Sequence, residues 1–131
     1  MAESTPAVVD ASVLVDIAIR RTGWPAVAAE LRARPLHAPA HVDVDVMSAV
    51  ARLARARAMD AGQARAALDR FRSAPISRHP LPDLVPGAWS RTTSLRVADA
   101  LYVELAVALG CPLLTSDARL ARACEIAVLV E

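Results

Sequence analysis

Short apolar runs alternate with helix-periodic segments along this chain, and that alternation limits the folds open to it. Residues 7–9, 36–38, 75–81, 113–114 and 126–130 read as strands, the third one bounded by proline at each end. Between them, residues 11–20, 24–33, 42–58, 61–74, 99–108 and 117–123 carry apolar side chains at helical spacing. Residues 82–94 read as a short helix or turn anchored by Trp89. Pro25 falls in a first helical turn, where its missing N–H does no harm. Asp60 is placed to cap the helix that follows it, and Gly110 to stop the helix before it. The pattern predicts an α/β fold, a small parallel β-sheet flanked by α-helices. In such sheets ligands gather beyond the C-terminal ends of the strands. Asp10 and the turn Thr115-Ser116-Asp117 stand at such ends.

A chain of 131 residues corresponds to a single domain spanning residues 1–131. Trp24, Phe71, Trp89 and Tyr102 are its only aromatic residues, so its core must be built from Ala, Val and Leu. The net charge of +1 gives no bulk attraction for nucleic acid. All 15 basic residues are Arg, a side chain suited to phosphate, although codon bias alone yields the same composition. The stripe Arg52, Arg55, Arg57 and Arg65 reads as a solvated face. Cys111 and Cys124 lack a CxxC spacing and read as buried, reduced thiols. The polar N-terminus lacks the basic region of a signal peptide. No stretch of about 20 apolar residues is present. A cytoplasmic protein is expected.

Four aspartates then stand out. Asp10 ends an apolar run in PAVVDASVLVDI, and Asp45 lies near a helix start in APAHVDVDVMSAVARL. Asp99 opens LRVADALYVELAVA, and Asp117 follows a strand in PLLTSDARLARA. Most have no basic residue beside them in sequence. Two carboxylates about 4 Å apart repel by roughly 4 kcal/mol at an effective dielectric near 20. A fold that gathers them needs a proton or a cation, and hard oxygen ligands point to Mg²⁺ or Mn²⁺. Taken singly, Asp10, Asp99 and Asp117 could each serve as a helix cap. Asp16 turns away from Asp10 and is assigned to the surface or to a partner. Glu104 lies about 140° round its helix from Asp99 and is no natural co-ligand. Asp43 and Asp45 are separated by about 200° of helical rotation, so Asp43 is expected to cap the helix and Asp45 to serve the site. Arg96 either meets phosphate or pairs with a nearby acid. His37, His41 and His79 read as structural or surface groups.

The segments VVDASVLVD, APAHVDVDVMSAVARL, VADALYVELAVALG and LLTSDARLAR, in this order, resemble the signature segments of PIN-domain ribonucleases. They are most similar to the VapC-type toxins of bacterial toxin–antitoxin pairs. The resemblance covers residues 7–129 and implies a PIN-like fold. It also implies that Asp10, Asp45, Asp99 and Asp117 form the catalytic, metal-binding set for Mg²⁺ or Mn²⁺. Ser12 would bond a water or carboxylate there, and Thr115 or Ser116 a water or an RNA phosphate. At the position of Asp45 the family carries Glu, six residues after the proline matching Pro39; Asp45 is one methylene shorter. The resemblance further implies a metal-dependent endoribonuclease, a substrate of tRNA or ribosomal RNA, a homodimer, and a VapB-like antitoxin over the acidic site.

Two other readings follow from the same residues. The shortened Asp45 is compatible with a catalytically weak or inactive PIN module that binds RNA or antitoxin. Asp43-Val44-Asp45 superficially matches a DxD phosphatase motif. That motif should follow a strand and be helped by Lys; here it opens a helix in a chain without Lys. No Ser-His-Asp spacing or Gly-rich phosphate loop appears.

Overall fold

A computed structural model describes residues 5–131; residues 1–4, part of the polar N-terminus considered above, lie outside it. Five strands, β1 (Ala7–Val9), β2 (Leu36–Pro39), β3 (Ile76–His79), β4 (Leu113–Thr115) and β5 (Ala127–Leu129), form one sheet in the order β3-β2-β1-β4-β5. Every pairing is parallel, so the expected sheet is present. The helices are α1 (Ala11–Ala18), α2 (Trp24–Arg32), α3 (Val42–Arg55), α4 (Ala61–Arg72), α5 (Val85–Trp89), α6 (Val97–Leu109) and α7 (Ala118–Ala123). A single 3-10 turn, Pro82–Leu84, leads into α5.

The central strand β1 is apolar because it is covered on both faces: Ala7, Val8 and Val9 are fully buried. Beside it, Leu113 and Leu114 of β4 are buried as well. Each such Val or Leu contributes roughly 1.5–3 kcal/mol of transfer free energy. Helix α6 lies against β1, β2 and β4, with α5 packed on it, while α1 packs on α2, α3 and α4. The chain runs β1 to β3 toward one edge and returns to β4 beside β1, so the order reverses between β1 and β4. That reversal opens a crevice at the strand ends, which is where Asp10 and Asp117 fall.

Several boundaries differ from the sequence expectation for identifiable reasons. Helix α3 stops at Arg55, not at residue 58, because Arg57 is left-handed (φ 58°). The Ala58 N–H then closes on the Leu53 carbonyl and the Arg57 N–H on that of Ala54, a Schellman ending without glycine. Asp60 caps α4 as expected, in a capping box with Gln63. Gly110 ends α6 at φ 64°. Trp89 does not anchor its segment: it is 72% exposed, and Leu84 and Ala88 are the buried residues there. Cys111 is buried and Cys124 half-buried, both as free thiols. No described helix is long and apolar enough to cross a membrane.

Candidate active site

A cleft of about 570 Å³ opens at the β1/β4 reversal, and Asp10, Asp45, Asp99 and Asp117 all line it. They arrive from four separate segments. Asp10 sits where β1 becomes α1 and caps that helix, accepting from the Val13 N–H at 3.4 Å. Both its oxygens are held. The Ser12 hydroxyl donates to Oδ1 at 2.5 Å, and the Thr115 hydroxyl donates to Oδ2 at 2.6 Å. Burial pushes the Asp10 carboxyl up from its ordinary 3.8; the Ser12, Thr115 and Val13 bonds oppose this, and the charge of Asp99 adds to it.

Asp117 caps α7, its carboxylate accepting from the Arg119 and Leu120 N–H groups. Capping and a place in the cleft therefore coexist in Asp10 and Asp117. Asp99 is different. Arg96 is the N-cap of α6, and Asp99 lies within the first turn, so it is not a cap. Its carboxylate is largely buried beside two cations, Arg96 Nε and Arg119 Nη2, each 3.4 Å from Oδ2. Arg119 Nη2 also lies 3.2 Å from Asp117 Oδ2. The expectation that these acids stand without basic neighbours is thus overturned in space. Among the described residues, no three acidic, histidine or cysteine side chains converge as they stand into an ion-sized cage.

Helix α3 begins at Val42, one residue before Asp43, and this separates the two aspartates of the DxD string. Asp43 is not a cap: it forms a two-pronged pair with Arg78 of β3, at 2.7 and 2.8 Å. Asp45 faces the cleft and accepts from the Tyr102 hydroxyl at 2.9 Å. The two do not share a site, which removes the phosphatase reading. Burial and the Asp45 charge drive the Tyr102 hydroxyl far above the ordinary range, so it stays a donor.

Other side chains fall in unexpected places. Asp16 lines the cleft, paired with Arg21 at 3.2 Å, whereas its sequence offset from Asp10 assigned it elsewhere. Arg52 also lines the cleft, while Arg55, Arg57 and Arg65 are exposed. Ser116 lines it too. Thr115 is fully buried, its hydroxyl already engaged by Asp10 and by the Asp117 N–H. Ser12 ties β4 to the site by accepting from the Ser116 N–H at 3.0 Å. Glu104 pairs with Arg91, away from Asp99. Two histidines are structural: His37 Nδ1 and His79 Nε2 meet at 2.9 Å across β2 and β3. His41 is more than that, because its Nε2 lies 3.4 Å from Asp45 Oδ2 and its ring packs on Tyr102. Tyr102 and Arg119 were not singled out by sequence, and His41 was assigned only a structural or surface role. Arg119 follows Asp117 by two residues at a helix start, which was its one local signal.

The PIN domain family model matches residues 7–126. Ribonuclease VapC3 of Mycobacterium tuberculosis is 50% identical over 117 residues, 88% of this chain and 85% of the relative. Ribonuclease VapC12 of the same organism is 36% identical over 115 residues, 88% of this chain and 89% of the relative. The crystal structure of PAE2754 from Pyrobaculum aerophilum superposes with a TM-score of 0.71 at 24% identity, over 99% of this chain and 88% of that one. A toxin–antitoxin complex from Klebsiella pneumoniae gives 0.63 at 17% identity, over 93% and 95%. The fold, the order of its signature segments and these two relatives agree: the chain belongs to the PIN-domain family, within the VapC ribonucleases.

Proposed function

We propose that this protein is a Mg²⁺- or Mn²⁺-dependent endoribonuclease that cleaves structured cellular RNA, tRNA or ribosomal RNA, in the cytoplasm. It acts as a toxin restrained by a VapB-like antitoxin. One observation carries the reading: four carboxylates from separate segments line a single cleft. Kinship with proteins named ribonucleases supports the reaction class.

In its chemistry, though not in its present spacing, the donor set suits a hard divalent ion. It is all carboxylate oxygen, and its most buried member, Asp10, is raised by burial and by the charge of Asp99. Asp10, Asp99 and Asp117 would hold the ion, with Asp45 completing the set. When bound, such an ion polarises a phosphate oxygen and lowers the pKa of an attacking water. The chain's own groups prepare the site. Ser12 and Thr115 fix the Asp10 carboxylate through both oxygens. Arg21, Arg52 and Arg96 line the cleft where a phosphodiester backbone would enter, and their guanidinium forks match phosphate geometry. A homodimer belongs to the same proposal; Val44, Met47, Val85, Trp89 and Val97 leave exposed apolar surface for a protein partner.

The test is incubation of the purified protein with a tRNA and ribosomal RNA pool, with Mn²⁺ or with EDTA, beside an Asp99→Asn variant. Discrete cleavage is expected with Mn²⁺, lost in EDTA and in the variant. Cleavage that ignores metal and persists in Asp99→Asn, or none by the parent protein, would overturn the proposal.

A further inference from the structure

Given the nuclease reading, on which this step rests, we propose that Tyr102 is a positioning residue for Asp45. Its hydroxyl ties down one carboxylate oxygen and leaves the other to face the cleft. Tyr102 is 2% exposed, and its 2.9 Å bond to Asp45 Oδ2 joins α6 to α3. The ring is held in turn by His41, with centroids 4.6 Å apart. His41 is itself fixed by the Ala98 carbonyl, 3.2 Å from Nε2, which also lies 3.4 Å from Asp45 Oδ2. Oδ2 is therefore approached from two sides, whereas no protein donor among the described residues is recorded on Oδ1.

The other three carboxylates are held differently. Asp10 is gripped by two hydroxyls, Asp117 by the backbone of the helix it caps, and Asp99 by two arginines. Asp45 caps no helix and pairs with no arginine; the Tyr102 hydroxyl and His41 Nε2 are the side-chain groups that reach it. It lies in the first turn of α3 with its side chain 30% exposed. An untethered carboxylate there would sample rotamers that turn it into solvent. A neutral donor suits this task, because it orients the carboxylate without cancelling the charge a cation needs. Fixing one side chain in advance tightens binding by roughly three- to tenfold.

Tyr102→Phe keeps the ring against His41 and removes one oxygen. The readout is Mn²⁺ affinity by calorimetry, with thermal unfolding of the metal-free protein as the check on folding. The expected result is a three- to tenfold weaker Kd in the parent background, and no further weakening when the change is added to Asp45→Ala, which leaves the tyrosine no carboxylate to orient. An unchanged Kd, or an equal loss in the Asp45→Ala background, overturns the proposal. Tyr102 is the chain's single tyrosine, so 3-fluorotyrosine labelling places one fluorine beside Asp45 without altering the core. Its resonance is expected to shift on saturation with Mg²⁺ in the parent and to stay put in Asp45→Ala; no shift in the parent overturns the role. If the parent protein binds no Mn²⁺, the nuclease reading falls as well. If it binds Mn²⁺ and Tyr102→Phe binds equally, only the tyrosine's role falls.

Discussion

The guanidinium of Arg119 lies between Asp99 and Asp117, with Nη2 3.4 Å from Oδ2 of the first and 3.2 Å from Oδ2 of the second. An internal monocation thus partly neutralises two carboxylates proposed as ligands of a dication. Arg119 is half-exposed, which limits each contact to about 1 kcal/mol. Arg119→Ala is expected to tighten Mn²⁺ binding by up to roughly fivefold at low salt. The difference should narrow as salt screens the arginine. Calorimetric titration of both proteins checks this; equal or weaker affinity in the variant would show that Arg119 does not compete.

The pH dependence of metal-free stability follows from Asp10. Its folded-state carboxyl is raised above the ordinary 3.8, chiefly by burial. Between the unfolded and the folded value, the native state therefore binds more protons than the unfolded one. That contribution is fully present below about 3.8 and is lost as pH rises through the folded value. Above its folded value the ionised Asp10 thus weakens the metal-free fold. Asp10→Asn keeps an acceptor, and the Ser12 and Thr115 hydroxyls can reorient toward its NH₂. The variant is expected to melt at or above the parent's temperature at pH 7 without metal, with a flatter pH slope, and to bind Mn²⁺ more weakly. A lower melting temperature would show that the lost charge-assisted bonds outweigh desolvation.

Asp43 and Asp45 are expected to separate cleanly by mutation. The Asp43–Arg78 pair is partly exposed (44% and 32%) and contributes no more than about 1 kcal/mol. Asp43→Asn should cost that much stability at most and leave Mn²⁺ affinity unchanged. Asp45→Asn should weaken Mn²⁺ binding several-fold with little effect on metal-free melting. Reversal of this pattern would mean that Asp43 is the ligand.

Gly87 makes room for an ion pair. A Cβ at this position would overlap the Glu104 carboxylate, and Glu104 is bonded to Arg91 at 3.0 Å. Gly87→Ala gains helix propensity of about 1 kcal/mol but displaces a charged hydrogen bond worth roughly 1.5–3 kcal/mol. A net loss of about 1 kcal/mol is expected. In a Glu104→Ala background the same change should stabilise instead, because the obstruction is gone. Denaturant melts of the four proteins measure the coupling.

What was legible in the sequence depended on local chemistry. The strands β1 and β4 announce themselves because both faces are covered, so Val8, Val9, Leu113 and Leu114 need no polar alternation. Asp60 and Gly110 mark their helix boundaries through bonding and φ requirements that act within a few residues. The four aspartates were visible as residues at strand ends and helix starts. Their company was not. Tyr102 reaches Asp45 across 57 positions, and Thr115 reaches Asp10 across 105. Asp16 illustrates the converse: helical rotation from Asp10 pointed it away, yet the cleft is wide enough to include it. Trp89 misled because size suggests burial, while α5 turns Ala88 inward instead.

The reversal of strand order between β1 and β4 has a consequence for synthesis on the ribosome. Asp10 emerges first, but the turn that brings Asp117 beside it belongs to the final strand–helix unit, β4 and α7. Until that unit docks, Asp10 lacks Thr115 and the crevice lacks one wall. A nascent chain therefore has an incomplete crevice until β4 and α7 have left the tunnel and docked beside β1.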